Sequence, residues 1–475
     1  MRKLHNKRMT QMNPYTGKKY HFIGIGGIGT SGLAKLLMRQ GAIVSGSDMC
    51  QSPVIDQLQR LGATVRVGHT AENLPEDVDA VVISAAVTAG NPELARAAEL
   101  GCPIHKYAQM LGQLFDACCG IAVSGTHGKS TTGAWISYLL SECRLKPNFI
   151  IGAEVPQLGG SSGVGNGRYF VAEACEYDRS FLNLHPHIAI ILNIEQDHLD
   201  YYRNEDEIVE AFGEFAAGIK PEGLLIANGS DKNVARVVRR LKGSRRVVTV
   251  GLEPGSDYTA QNAAIEKGLY TFDVLRNGRR LGRAKSGLPG LHNVYNAVVA
   301  AAACIEAGVP ETEVLDRLGH FGGIDRRLML KAQLEGVTIL DDYAHHPTEI
   351  QASLAAIRQR YEPRRLWCVF QPHQYSRTRF LLDDFAESFK LADITIVPEI
   401  YFVRDTAESK STVNAEILVD RIRQQQCQAL FINEFAGIVN HLKQHVREGD
   451  VVVTMGAGTI WKVADEYIQW LREHR

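Results

Sequence analysis

A chain of 475 residues is too long for one hydrophobic core, which rarely grows past about 250–300 residues, so two or three domains are expected. With 45% hydrophobic and 22% charged residues and a net charge of −1, the composition excludes a disordered chain and argues against a nucleic-acid binder. No run of about 18 apolar residues occurs, so no membrane-spanning helix is expected, and the nine cysteines, odd in number and without Cys-x-x-Cys spacing, read as reduced thiols of a cytoplasmic protein.

Residues 1–18 read as a polar lead-in without the apolar stretch of a secretory signal. A buried strand is expected at 20–25, a helix at 31–39, and further strands at 42–45 and 79–84. A second unit opens with a strand at 120–124, a glycine turn and a helix, and continues with strands at 169–173 and 188–193. The stretch 254–289 alternates short apolar runs around Asn277-Gly278, a hairpin signal, and reads as a small antiparallel excursion. An alanine-rich helix is expected at 297–306. A third unit starts near Gly322, with strands at 337–340, 366–370, 394–397 and 451–454. Strands alternating with helices predict parallel sheets covered on both faces, hence three α/β units. The basic cluster Arg239-Arg240-Leu241-Lys242 with Arg245-Arg246 reads as a solvated helix end.

Two glycine turns carry the chemistry. Gly24-Ile25-Gly26-Gly27-Ile28-Gly29 fits G-x-G-x-x-G between a strand and a helix, with Asp48 about twenty residues on, the spacing of a dinucleotide fingerprint. Glycines let the backbone approach a diphosphate seated on a helix N-terminus, so any nucleotide diphosphate suits the turn. The second turn, Ser124-Gly125-Thr126-His127-Gly128-Lys129-Ser130-Thr131-Thr132, ends like a P-loop, although Val123 stands where the strict form has Gly. Backbone N–H groups of such a loop cradle phosphates, Lys129 offsets charge on the β/γ oxygens, and the Ser130 hydroxyl is placed for Mg²⁺. Two phosphate turns on two domains imply two nucleotides. Carboxylates at the ends of the next strands, in Glu173-Ala174-Cys175-Glu176-Tyr177-Asp178 and Asn193-Ile194-Glu195-Gln196-Asp197-His198, stand where metal and phosphate ligands of such sites are found. Cys175 reads as a small buried filler. An NAD-dependent oxidoreductase would leave Lys129 without a purpose, and a non-catalytic nucleotide sensor would not need Glu173, His198 and Arg327.

These segments resemble the Mur ligases, ATP-dependent amino-acid ligases of peptidoglycan assembly. Gly125 to Ser130, Asn193 to His198, Leu291-His292-Asn293-Val294-Tyr295-Asn296-Ala297 and Gly322-Gly323-Ile324-Asp325-Arg326-Arg327 match the family's blocks in order, from about residue 20 to the C-terminus. The resemblance implies three domains: a Rossmann-like UDP-sugar domain at 1–107, a central P-loop ATPase-like domain at 108–321, and a Rossmann-like amino-acid domain at 322–475. Within the family, Gly24 to Gly29, Asp341-Asp342-Tyr343-Ala344-His345-His346-Pro347-Thr348-Glu349 and Phe370-Gln371-Pro372-His373-Gln374-Tyr375-Ser376-Arg377-Thr378-Arg379 resemble the member that adds L-alanine to UDP-N-acetylmuramate. The relative that reattaches recycled peptides shares the His-His-Pro block but lacks the Arg-Thr-Arg run. Gln374 stands where many members carry Arg.

The resemblance also implies roles. ATP would be held by Gly125, Thr126, His127, Gly128, Lys129, Ser130 and Thr131, with His292, Asn293 and Asn296 at the adenine, Asp342 at the ribose and Arg327 at the γ-phosphate. Ser130, Glu173 and His198 would hold Mg²⁺, with Mn²⁺ as an alternative. Gly26, Gly27, Ile28, Gly29, Asp48, His69 and Ser84 would bind the UDP-sugar. Tyr343, His345, His373, Arg377 and Arg379 would bind the amino acid. Lys129, Glu173, His198, Arg327 and His345 are the expected catalytic groups, and Arg326 reads as a surface or domain-contact residue. The substrates implied are UDP-N-acetylmuramate and L-alanine, with no nucleic acid, no membrane, and a monomer or weak dimer. Because the ATP and amino-acid sites lie on different domains, the third domain is expected to close on the second about a hinge at 320–325.

Overall fold

The computed structural model describes residues 13–198, 201–403, 405 and 407–474, so residues 1–12 of the expected lead-in lie outside the described residues. The first sheet joins β1 (Lys19–Ile23), β2 (Ile43–Asp48), β3 (Thr64–Val67), β4 (Ala80–Ile83) and β5 (Ile104–Lys106), all parallel, in the order β3-β2-β1-β4-β5. The order reverses between β1 and β4, and α1 (Ile28–Arg39) leaves β1 through the glycine turn there, where doubly wound sheets place ligands. Two of its glycines are required by close approach. A Cβ on Gly24, whose φ is +79°, would lie 2.7 Å from Ser84 Oγ, and one on Gly29 would lie 2.7 Å from the Tyr107 ring.

Helix α2 (Tyr107–Asp116) leads into a ten-stranded central sheet. Its strands are β6 (Cys119–Ser124), β7 (Asn148–Ile150), β8 (Ser162–Gly163), β9 (Tyr169–Glu173), β10 (Ile188–Ile191), β11 (Leu224–Asn228), β12 (Arg246–Gly251), β13 (Tyr258–Glu266), β14 (Leu269–Arg276) and β15 (Arg279–Lys285), ordered β15-β14-β13-β12-β11-β10-β6-β9-β7-β8. The antiparallel strands β13 to β15 extend the parallel sheet instead of standing apart as an excursion. Asn277 and Gly278 turn the β14–β15 hairpin with φ of +49° and +76°, as a type I′ turn demands. Helices α3 (Lys129–Glu142) and α4 (Leu291–Glu306) pack together on one face; α4 starts a turn and a half before the alanine-rich stretch, and Asn293, Val294 and Asn296 continue its buried side.

The third sheet, β16 (Met329–Leu334), β17 (Val337–Asp342), β18 (Leu366–Phe370), β19 (Ile394–Val397), β20 (Ala429–Phe431) and β21 (Val451–Met455), has the order β16-β17-β21-β18-β19-β20. It is parallel except for β16, an antiparallel edge strand that the sequence patterning does not mark. Helices α5 (Pro347–Tyr361) and α6 (Tyr375–Phe380) follow β17 and β18. No helix among the described residues is long and apolar enough to cross a membrane.

The cores divide unevenly. Phe22, Leu33 and Leu37 of the first sheet's layer join Phe115, Phe170, Ile191 and Phe212 in one continuous cluster, so the first two sheets share a core. The clusters of the third sheet begin at Leu328 and contain, among the described residues, no side chain from the central domain. The third domain therefore meets the rest through polar contacts, which exchange with solvent or ligand far more readily than a shared apolar core.

Helix α2 is wedged into the shared core. Gly112 is buried within it, and a Cβ there would collide with the backbone oxygen of Asn183. Alanine is favoured over glycine inside a helix by about 1 kcal/mol, but overpacking against backbone costs about 1–3 kcal/mol. Gly112→Ala should therefore lower stability by up to about 2 kcal/mol in urea unfolding, and a gain would show that the helix shifts freely.

Candidate active site between the central and third domains

The loop after β6 is shaped by its backbone. Gly125 and Gly128 have φ of +137° and +82°, and α3 begins at Lys129 with its first N–H groups uncapped by any side chain. The segment following β10 clamps this loop: Asn193 O accepts from Thr126 N (3.1 Å), Asn193 Oδ1 accepts from His127 N (2.8 Å), and Thr126 Oγ1 accepts from Glu195 N (2.8 Å). Lys129 Nζ folds over the loop and donates to Gly125 O (2.5 Å), Thr126 O (3.1 Å) and Glu176 Oε1 (3.0 Å). Burial opposes its charge, and the adjoining Glu176 carboxylate more than restores it, holding Lys129 above its ordinary value.

A cavity of about 500 Å³ opens beside the loop. His127, Gly128, Ser130 and Thr131 line one wall, His292, Asn293 and Asn296 of α4 another, and Arg327, Asp342 and Glu349 of the third domain close it. Burial, reinforced by Arg327, pushes His292 down to about 4, so its ring is neutral. Asn296 Nδ2 donates to Asn293 Oδ1 (3.1 Å), which orients both amides. Burial raises Asp342 to about 6, although Ser353 Oγ (2.8 Å), Ala344 N (2.8 Å) and Leu328 N (3.2 Å) all donate to it.

Across the seam, carboxylates meet cations. Arg327 Nη1 donates to Glu349 Oε1 (3.0 Å), and the same carboxylate faces His127 Nδ1 (3.4 Å) and His345 Nδ1 (3.3 Å). Despite burial, Arg327 and these imidazoles hold Glu349 well below the carboxylate range. Arg377 of α6 donates through Nε (3.2 Å) and Nη2 (2.9 Å) to Asp197 of the central domain, and its Nη1 lies 3.3 Å from His373 Nδ1. His345 N–H at Nδ1 donates to Tyr343 O (3.0 Å), which leaves the lone pair on Nε2; burial pushes His345 down to about 3, so it stays neutral. His198 has a left-handed backbone (φ +54°), and its Nε2 lies 3.7 Å from Glu176 Oε1.

Family models match the chain in three consecutive pieces: the Mur ligase family catalytic domain at 19–118, the Mur ligase middle domain at 123–304, and the Mur ligase glutamate ligase domain at 326–458. The chain belongs to the Mur ligase family. It is 40% identical to a UDP-N-acetylmuramate–L-alanine ligase of Acetivibrio thermocellus over 98% of both chains. Its fold superposes on the crystal structure of a UDP-N-acetylmuramate-alanine ligase from Thermotoga maritima with a TM-score of 0.81 at 28% identity, covering 96% of this chain and 100% of that one. A murein peptide ligase from Psychrobacter arcticus is matched at 0.70 and 26% identity over 96% of this chain and 99% of that one.

The fold of this Mur ligase brings Lys129, Arg327, His345, Arg377 and His373 to one seam, and sets the glycine turn, Asp48, Ser84 and His69 together at the first sheet's switch point. Glu173, at the end of β9, accepts from Gly152 N (2.7 Å). Three expectations change. Arg379 is exposed, its guanidinium 5.0 Å from the Phe380 ring, while Arg377 alone of the pair enters the seam. Arg326, expected at the surface or at a domain contact, is half-buried and donates to Asp341 Oδ2 (2.9 Å) and Gly456 O (2.7 Å) within its own domain. Cys175 is exposed instead of buried, because Ala174 and Glu176 take the inward positions on either side of it. The residues not singled out by sequence reasoning are Glu176, Glu195, Asp197, Glu349 and His346; all stand in the quoted motifs, but nothing local distinguishes Glu195, Asp197 or Glu349, which face side chains of another domain, or Glu176, which turns inward to Lys129.

Glu195 and Glu349 lift His127 from 6.5 to about 9 against the effect of burial. A raised folded value stabilises the folded state fully below pH 6.5 and loses that contribution as pH rises through about 9. In chelator-treated protein, wild type should therefore lose more stability than His127→Asn between pH 6.5 and 9 in urea unfolding. Parallel profiles would remove His127 from the seam's charge balance.

Proposed function

We propose that this Mur ligase joins L-alanine to the carboxylate of UDP-N-acetylmuramate while ATP is cleaved to ADP and phosphate. The observation that carries the reading is the full-length match to ligases of that name, in a chain with two glycine turns for two nucleotides. The Thermotoga ligase is also the better structural match than the peptide ligase.

A carboxylate repels nucleophiles and is made reactive by phosphorylation; an amine then displaces phosphate through a tetrahedral intermediate. The first step brings two anions together, so the site must supply positive charge and fixed geometry. Lys129, at the N-terminus of α3, exchanges Glu176 and the loop carbonyls for phosphate oxygens. Arg327 exchanges Glu349 for the γ-phosphate and the acyl phosphate formed from it. Asn293, Asn296 and neutral His292 receive the base, and Asp342 faces the same cavity for the ribose.

The donor set fits a hard dication, since the buried Glu176 carboxylate has an oxygen, Oε2, with no hydrogen-bond partner and lies beside His198. Ser130, Glu173 and His198 would hold Mg²⁺ or Mn²⁺, with Glu176 beside them. Bound there, the ion supplies positive charge to the phosphate oxygens.

Arg377 offers the amino-acid carboxylate a guanidinium already fixed by Asp197. His345 Nε2, with its lone pair, accepts from the ammonium; at a value of about 3 it orients the amine and is a weak base.

With Mg-ATP and UDP-N-acetylmuramate, phosphate release should depend on L-alanine and not on L-Ala-γ-D-Glu-meso-diaminopimelate. Release with the tripeptide alone would make the chain a recycling ligase. Lys129→Ala should lower kcat by about 10³-fold or more in protein that still folds, and a drop under tenfold would take the lysine out of the reaction.

A further inference from the structure

We propose that His127, Glu195 and His346 form a metal site, distinct from that of Ser130, Glu173 and His198, that takes a borderline divalent ion of the Zn²⁺ class. One donor atom from each side chain lies within 4.8 Å of the others. His127 Nε2 and Glu195 Oε2 are 3.4 Å apart, and His346 Nδ1 is 3.9 Å from the same oxygen. Two ligands about 2.0–2.1 Å from one tetrahedral ion stand about 3.4 Å apart, so small rotations of His346 complete the set. Two imidazoles and one carboxylate favour Zn²⁺ over Mg²⁺, which prefers oxygen donors.

The surroundings are those of a metal site. His127 Nδ1 faces the Glu349 carboxylate at 3.4 Å, the arrangement in which a carboxylate fixes a ligating imidazole. Glu195 Oε2 accepts from Thr348 Oγ1 (2.7 Å), which sets the carboxylate's direction. His127 Nε2 is buried and makes no hydrogen bond; its proton is the one an ion would displace. His346 is 95% buried, being 5% exposed, and its Nε2 has no hydrogen-bond partner. Its Nδ1 lone pair accepts a long bond from Thr348 N (3.3 Å), which a turn of the ring would exchange for an ion beside the Glu195 oxygen 3.9 Å away. The rings of His127 and His346 stand 4.6 Å apart, with His127 on the phosphate loop and His346 at the head of α5. An ion there links the loop to the third domain, and it does so whichever acid and amine the enzyme joins.

The test uses the full-length protein saturated with Mg²⁺, which holds the hard-donor site, titrated with Co²⁺. One equivalent should develop the intense visible absorption of tetrahedral cobalt, without thiolate charge transfer, and Zn²⁺ should displace it. His346→Asn keeps a helix-capping side chain and should lose that equivalent with the unfolding midpoint unchanged. Glu195→Gln should lose it as well, which keeps the test decisive if the first variant folds poorly. Absorption that survives both substitutions, a thiolate band from the nine free cysteines, or no tetrahedral signal at all would overturn the assignment.

Discussion

The cations at the seam are buried or half-buried before an anionic substrate arrives, and a cation so withdrawn from water must be paired. Removing one partner of such a pair costs about 3–5 kcal/mol, because the other is left as an uncompensated charge in a poorly solvated site. Lys129 is therefore held by Glu176, Arg327 by Glu349, Arg377 by Asp197, and His127 by Glu195 and Glu349. Phosphate oxygens and an amino-acid carboxylate offer the same charge and the same acceptor geometry as these side chains. In the proposed roles, binding would be an exchange of one anion for another, without a naked cation at any point. The carboxylates serve as placeholders, and they keep the cations aimed into the cavity.

The same constraint accounts for the way the third domain is attached. It has its own apolar clusters, whereas the first and central domains share one. Arg377–Asp197 and Thr348–Glu195 cross the seam, and each is made by side chains in or beside the reaction cavity or the α6 loop. Gln359 also donates to Tyr270 Oη across the interface, but Arg377–Asp197 and Thr348–Glu195 are the contacts for which ligands in the proposed roles would compete. A domain held this way responds to what occupies the cavity, because the free energies of closing and of binding are drawn from the same charges.

Much of this was legible in the sequence, for local reasons. Gly24 and Gly125 announce turns because only glycine tolerates the φ values they adopt, and Asn277-Gly278 announces a hairpin in the same way. Lys129 and Ser130 are fixed by the loop that carries them. What was not legible depends on distant chain segments. Asp197 lies 180 residues before Arg377, and Glu195 lies 153 residues before Thr348. No periodicity or spacing distinguishes those carboxylates from solvated ones. Glu176 was hidden differently: Glu173 sits at the end of a strand, the conventional place for a metal ligand, but the bend after β9 turns Glu176 inward to Lys129 and leaves Cys175 outside.

The first domain shows why a fingerprint alone could not name its nucleotide. In a dinucleotide reader, the acidic residue ending the second strand presents its carboxylate to the ribose hydroxyls. Here Asp48 is turned into its own loop: Oδ2 accepts from Gly26 N (2.8 Å) and Oδ1 from Met49 N (2.8 Å). Oδ2 stabilises the glycine turn and Oδ1 the backbone just after β2, so the residue that would mark a ribose site is occupied in holding the turn. The polar groups left beside it belong to another network, in which buried Glu93 accepts from Ser47 Oγ (2.8 Å) and faces His21 (2.7 Å) and His69 (2.8 Å). His69 is the member of that network that reaches solvent, its side chain 16% exposed while Glu93 is fully enclosed. An imidazole oriented by a buried carboxylate and the backbone of the turn are thus the groups this domain would offer a ligand, a pattern that suits a nucleotide diphosphate without requiring a second nucleoside.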